Sequence, residues 1–485
     1  MKKFICRLIV LCAMFCTATA YAACTADQID VNGDGTNCVD TKFSVTTTNL
    51  VLPDDSEFKF NLSAVGTFYV DCGTDGTLAS DANDISGKTI VRNDTNMVLY
   101  TCSYLSGGTK IIRFAGAATG YDDRPNVSNN TTIEFYTDAT PKLLLSIDGC
   151  LTDVFPQIST STAGTPVFTQ TFYKCTNLNN IPAGLFANIR ITRQGMFAQT
   201  FSECAALTTI PYNFFVNVTG NAYWTFERMF AFCASLTDIP SDLFSNIPGA
   251  PYSFYQTFRG CTSLTSLPDG LFANVKTGEV TMFQMTFWNC KNLTGYIPPS
   301  MFAGLIASGA PTANSMWKDT FYGTKLNTTC PAGTVQFVTG YESEWDGKVS
   351  CVPEQLSCDA GEYLPAHGYR CETCPENSYC SGGTYTFNET VTQGIESCPN
   401  NWYSPSGMSS VAQCGRILHI GEDMLYLRSV KQTIPSLNVK IGNNVYYGNM
   451  TINDVPMNTN TERKLKLRFN DITYSVYDDT VDVGE

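Results

Sequence analysis

Residues able to do chemistry are few and scattered. The 485-residue chain holds two histidines, His367 and His419, and neither stands near a nucleophile or within a metal-binding motif. Hydrolases built on GxSxG or HExxH, and phosphate-binding P-loops, need their groups at fixed spacings, and none of those spacings occurs. Asp122-Asp123 and Glu342/Glu344 are carboxylate pairs of the kind glycoside hydrolysis uses, but acids this scattered read as solvated turns. Asp30, Asn32, Asp34 and Gly35 follow the order of a calcium loop. The twelfth position would be Thr41, which has no bidentate carboxylate to offer, so an Asx-rich turn is the plainer reading. The expectation is no enzyme, no cofactor and no metal.

Cysteine chemistry is the exception. Of 21 cysteines, Cys6, Cys12 and Cys16 fall in an N-terminal segment with a basic start, a short apolar run and Ala20-Tyr21-Ala22 as a small-x-small cleavage site. Residues 1–22 therefore read as a signal peptide, too short in its apolar run to span a membrane. Export to an oxidising compartment makes disulfides the expected fate of the flanking cysteines. Cys24–Cys38, Cys72–Cys102, Cys330–Cys351 and Cys358–Cys371 are the expected pairs. Lipidation at Cys24 and a zinc site at Cys371-x-x-Cys374 are the rivals; Tyr21 where Leu is usual, and the lack of a second CxxC, count against them. With 44 acidic against 30 basic side chains the net charge is -14, which disfavours nucleic acid and anionic membranes as partners.

The elements that position all this are dominated by a repeat of about 29 residues: TFYKCTNLNNIPAGLFANI from 171, TFSECAALTTIPYNFFVNV from 200, MFAFCASLTDIPSDLFSNI from 229 and TFRGCTSLTSLPDGLFANV from 257, with a looser copy from 286. Each copy places Phe, Phe and Cys at i, i+4 and i+7, as in Phe197, Phe201 and Cys204. That spacing predicts one face of a helix. A short Leu-x-x-Ile strand follows, then Pro and a second apolar helical face, as in Leu185-Phe186, ending near Asn188, Asn217, Asn246 and Asn274. One copy cannot bury these side chains alone, so neighbours must stack. The five repeat cysteines, Cys175, Cys204, Cys233, Cys261 and Cys290, are expected as free core thiols, with Cys150 a degenerate earlier copy. A copy without cysteine, marked by Trp317, Phe321 and Thr324, is expected to cap the array.

The pattern TFxxCxxLTxIPxxLFxN resembles the BspA-like leucine-rich repeats of bacterial surface proteins. That resemblance implies an α/β leucine-rich-repeat solenoid over 146–329. Strand-like alternation over 23–145, with the run GTFYVDCGTDGT, resembles an Ig-like or PKD-like β-sandwich. CPENSYCSGG and CPNNWYSPSGMSSVAQCG, within 330–414, resemble ephrin-receptor-like or TNF-receptor-like cysteine-rich modules and imply a stapled stalk. Residues 415–485 read as a small antiparallel β-domain. Together these form a multidomain chain.

The function this implies is that of an exported cell-surface protein that binds a protein or glycan, on another cell or in the extracellular matrix, through its solenoid. The alternative is a structural spacer without a ligand. The residues between the inward Leu and Ile of each strand are the expected contact strip: Asn179, Asn180, Thr208, Thr209, Thr237, Asp238, Thr265, Ser266, Thr294 and Tyr296. No membrane-spanning segment is expected after signal cleavage.

Overall fold

The computed structural model describes residues 24–123, 131–136, 140–215, 217–308, 315–337, 342–366 and 368–399, pieces of 404–414, and the backbone of strands within 416–476. The expected signal peptide and His367 lie outside the described residues. The chain divides into two compact units, one reaching Cys330 and adding Val338–Cys351, the other made of Pro331–Phe337 and Val352–Glu485.

The first unit begins as two open antiparallel sheets. Strands β1 (Gln28–Asp30) and β2 (Cys38–Asp40) form a hairpin. The following strands are β3 (Phe43–Thr47), β4 (Glu57–Leu62), β5 (Val65–Asp71), β6 (Gly76–Ser80), β7 (Ile85–Ser86), β8 (Thr89–Arg92), β9 (Val98–Tyr104), β10 (Ile111–Gly120), β11 (Ile133–Glu134) and β12 (Leu144–Gly149). One sheet has the order β12-β3-β10-β5-β8-β7 and the other β11-β4-β9-β6. Alternation puts Phe58, Phe60 and Leu62 of β4 on one face, opposite Phe43, Phe114 and Phe68, and Phe60 meets Phe114 edge-on at 5.2 Å.

The outer edge of β12 is used. Asn179 N–H donates to Leu145 and Ile147 N–H donates to Asn180 O, so the first repeat grows directly on the sheet. Phe135, just after β11, stacks on Phe172 at 5.3 Å with the rings 4° apart. A single hydrophobic core runs from Phe43 to Trp345 without a break.

The repeats are not helices, which corrects the expected architecture. Every second amide of the Phe–Phe–Cys segment leaves its own copy and donates to the next: Phe197 to Thr225 O, Gln199 to Glu227 O, Phe201 to Met229 O and Glu203 to Ala231 O, at 2.7–3.0 Å. The intervening amides close four-residue turns, as Ser202 to Gln199 O and Cys204 to Phe201 O. Every fourth residue is left-handed, shown by Gly195 at φ 63°, Gln199 at 54° and Glu203 at 65°. The period is therefore four, a coil of square turns, and not the 3.6 of an α-helix.

Rung spacing gives the physical reason. Phe172, Phe201, Phe230, Phe258, Phe287 and Phe321 stack face to face at 5.2–5.8 Å. Packed helices need about 8–10 Å between axes, so rungs this close have no room for them. The segments after each Pro are turns as well, apart from the last copy, where a 3-10 turn at Pro299–Phe302 leads into an α-helix at Ala303–Ser308. The expected parallel strands reduce to isolated bridges, Ser146 with Asn180 and Thr209 with Asp238, and a two-residue pairing of Arg190–Ile191 with Thr219–Gly220. Among the described residues the only other α-helices are four-residue pieces at Thr140–Leu143 and Leu151–Val154. The fold is mostly β and turn, with open sheets, and is not a leucine-rich-repeat solenoid.

The repeat's polar letters are explained by the rungs. Thr200, fully buried, donates its hydroxyl to Phe168 O and Phe197 O at 2.9 and 2.8 Å. Thr257, Thr286 and Thr320 donate in the same way. The thiols of Cys204, Cys233, Cys261 and Cys290 donate to the Phe carbonyl one rung back, at 3.1–3.2 Å. These four and Cys175 are free and buried, and burial pushes the Cys233 and Cys290 thiols up to about 12. Cys150 is not one of them; it is disulfide-bonded.

The last rung is covered by residues 342–349. Trp345 packs on Phe302, Trp317 and Phe321, and Glu344 accepts the Trp317 backbone N–H at 2.7 Å. A carboxylate thus stands where a carbonyl of the next rung would be. Glu344 serves the backbone, so the Glu342/Glu344 pair is not a solvated turn throughout.

The second unit holds short two-stranded ladders, such as Gln355–Cys358 with Gly383–Thr386, stapled by Cys358–Cys371, Cys374–Cys380 and Cys398–Cys414. Its C-terminal part is a hairpin, Arg416–Ile420 with Asp423–Leu427, and a four-stranded antiparallel sheet over Gln432–Val476, with His419 opposite Met424. Disulfides of the first unit include Cys24–Cys38, Cys72–Cys102 and Cys330–Cys351.

Candidate functional site

The square turn sorts side chains differently from a helix. With four residues per turn, Trp224, Arg228 and Phe232 fall on one edge, and so do Tyr252, Gln256 and Gly260 on the next rung. Residues one step back, Tyr255 and Arg259, then Trp288, flank that edge. Phe-Phe-Cys packing turns these columns away from the core, and rings and guanidiniums accumulate there.

Their contacts are mutual. Trp224 lies flat on Tyr252 at 3.9 Å, and Tyr255 meets both edge-on at 6.2 and 6.5 Å. The Arg228 guanidinium sits 5.8 Å from the Tyr255 ring. Arg259 lies between Trp288 at 4.4 Å and Phe232 at 5.4 Å. Phe232, 43 % exposed, rests on Gly260: a Cβ added there would stand 2.7 Å from the ring, and φ is +73°. Glycine at 260 is what makes room for the ring. The ring series continues to Tyr322, stacked 6.1 Å from Trp288.

One buried side chain organises the two cations. Gln256, 2 % exposed, accepts from Arg228 Nε at 3.0 Å and from Arg259 Nη1 at 2.8 Å on the same Oε1. The two donor nitrogens therefore lie within about 6 Å of each other. Like charges this close repel by on the order of 3 kcal/mol at an effective dielectric of 20. Ring contacts of about 0.5–2 kcal/mol each offset part of that. Glu227 stands 3.8 Å from Arg228, but burial raises its carboxyl above the ordinary range and weakens it as a counter-ion. Among the described residues no carboxylate pairs with Arg259, and its Nε is buried without a partner.

The strip expected from the sequence is elsewhere. Asn179, Asn180, Thr208, Thr209, Thr237, Asp238, Thr265, Ser266 and Thr294 are exposed, and Tyr296 is half-buried. The hydroxyls of Thr237 and Thr294 point along the stack to Thr208 O and Thr265 O, both at 3.2 Å. This strip spends polar groups on the next rung and carries no ring cluster. The Asp30 loop closes on itself too: Asp30 accepts the Gly33 and Gly35 amides and Asp34 the Thr36 amide. Among the described residues no three His, Cys, Asp or Glu side chains are grouped to hold a metal.

No known protein family, curated protein or solved structure matches the chain. That finding, with the turn architecture, overturns the resemblance to BspA-like repeats, to Ig-like or PKD-like domains and to ephrin-receptor-like modules. Surface adhesion through a leucine-rich-repeat solenoid loses its structural basis with it. Among the described residues no helix is long and apolar enough to cross a membrane.

Sequence reading missed the patch for a specific reason. A helical period scatters Trp224, Arg228 and Phe232 around a cylinder, whereas a period of four aligns them. Left-handed glycines at 260 and 323, in the column just before the cysteine position, were the available signal.

Proposed function

We propose that the chain is an exported, non-catalytic glycan-binding protein whose contact surface is the ring and guanidinium patch around Trp224, Tyr252, Arg259 and Trp288. The observation that carries this reading is a half-buried aromatic platform, Trp224 stacked on Tyr252 at 3.9 Å, flanked by Trp288 with Arg259 against its face at 4.4 Å. Sugar rings present C–H faces that pack on such platforms, and their hydroxyls take hydrogen bonds from guanidinium groups. The rings are fixed by the rungs beneath them, so little side-chain freedom is lost on binding. Disulfides along both units, such as Cys24–Cys38, Cys72–Cys102 and Cys398–Cys414, support an oxidising, extracellular setting.

The test is a glycan array probed with the intact mature protein, followed by calorimetry on any oligosaccharide retained. Saturable binding that falls at least tenfold in Trp224→Ala and Trp288→Ala, with unchanged unfolding midpoints, supports the reading. Binding that both variants retain in full places the contact elsewhere and overturns it.

A further inference from the structure

Two guanidiniums converge on one buried oxygen at the centre of the patch, which brings two like charges together. Gln256 holds Arg228 and Arg259 through a single Oε1, at 3.0 and 2.8 Å. An uncharged side chain at either position would fill the space without bringing like charges together. Flat rings then fix each guanidinium plane: Tyr255 for Arg228, Trp288 and Phe232 for Arg259. The surrounding acids fall short of neutralising the pair. Glu227 reaches Arg228 alone, at 3.8 Å, and Arg259 has no carboxylate partner among the described residues.

We infer that Arg228, Gln256 and Arg259 form a subsite for an oxyanion carried on a sugar, a carboxylate or a sulfate ester. This rests on the glycan-binding reading above and adds its chemical class. An oxyanion bridging the two guanidiniums would take hydrogen bonds from the fork of each, the geometry in which arginine outperforms lysine. It would also relieve the repulsion that Gln256 imposes. The ligand is then an acidic glycan, held by rings on its sugar faces and by the arginine pair at its charge. The chain as a whole carries a net charge of -14, and the paired guanidiniums make the subsite locally positive.

The experiment uses three probes against the full mature chain: oligogalacturonate, its fully methyl-esterified form and dextran sulfate, each titrated at low and high salt. Methyl esterification removes the charge and keeps the sugar backbone. The expected result is at least tenfold tighter binding of oligogalacturonate or dextran sulfate than of the methyl ester, shrinking as salt rises. The charged probe that binds tells carboxylate from sulfate. Arg228→Met and Arg259→Met should erase the preference, bringing the charged probes level with the methyl ester, and Gln256→Leu should weaken it. Equal binding of charged and esterified probes, or a preference surviving both arginine variants, overturns the subsite while leaving the glycan reading intact. Binding of none of the three overturns the subsite. Insensitivity of every titration to Trp288→Ala marks failure of the underlying reading instead.

Discussion

The thiol of Cys204 donates to the main-chain oxygen of Phe172, 3.2 Å away on the neighbouring rung. The same contact recurs at Cys233, Cys261 and Cys290. Cysteine is thus placed as a small donor that fits between rungs. Burial holds these thiols in the protonated form, since the thiolate would be stranded in apolar surroundings. Iodoacetamide at pH 8 should leave Cys204, Cys233 and Cys261 unmodified in the folded protein and alkylate them once it is unfolded. Rapid labelling of the folded chain, read by peptide mapping, would mean the rungs open or the thiols are exposed.

The threonine ladder predicts a contrast. Thr286 gives its hydroxyl to Phe254 O and Phe283 O at 2.9 and 2.7 Å. Each carbonyl also accepts an amide, so Thr286→Val removes hydrogen bonds without orphaning an acceptor, and should cost about 1 kcal/mol. Thr294→Val, on the exposed strip, should change stability by no more than about 0.5 kcal/mol. Urea unfolding of both variants checks this; equal effects would deny the inner ladder its role.

The carboxylate cap predicts a pH dependence. Burial first, and the nearby charge of Asp319 second, raise the Asp346 carboxyl above its ordinary value. The folded state therefore holds that proton more tightly than the unfolded chain does. Its contribution to stability is fully present below the ordinary carboxylate range and is lost as pH rises through the raised value. Asp346→Asn keeps the size and shape of the side chain and removes the titration. Relative to the parent, the variant should gain stability at pH 7 and lose that gain at pH 3, measured by urea midpoints. A gain that is the same at both pH values would contradict this origin.

Much of the chain's organisation is legible in its letters, and the failure is local. Alternation in EFKFNL and MVLYTCSYL reads as strand because every second side chain must face a core, and Phe58, Phe60, Tyr100 and Cys102 do. The repeat's Phe and Leu columns read as core on the same logic, and Phe201, Phe230 and Leu236 are fully buried. What the spacing i, i+4, i+7 cannot decide over so short a span is whether the period is 3.6 or 4. Hydrophobic residues satisfy both. Only the outward columns and the left-handed positions separate them, and residues such as Gln199, Arg228 and Met285 carry no glycine to announce a positive φ. The helix expectation, and the family resemblance built on it, followed from the core letters alone. The binding patch was hidden with it, because Arg228 and Arg259 become neighbours only when rungs stack by backbone hydrogen bonds.

The coil of four-residue turns is the central claim, and position 203 tests it by sign. Glu203 has φ 65° in the turn column that glycine occupies at 260 and 323. In a left-handed position a Cβ costs about 1–2 kcal/mol, so Gly is favoured over Ala. In a helix interior the order reverses, with Ala better by about 0.8–1.0 kcal/mol. Comparing Glu203→Gly with Glu203→Ala removes the same side-chain contacts in both and leaves the backbone difference. Denaturant unfolding should show the glycine variant more stable than the alanine variant by about 1 kcal/mol. An alanine variant more stable than the glycine variant would contradict the square-turn coil.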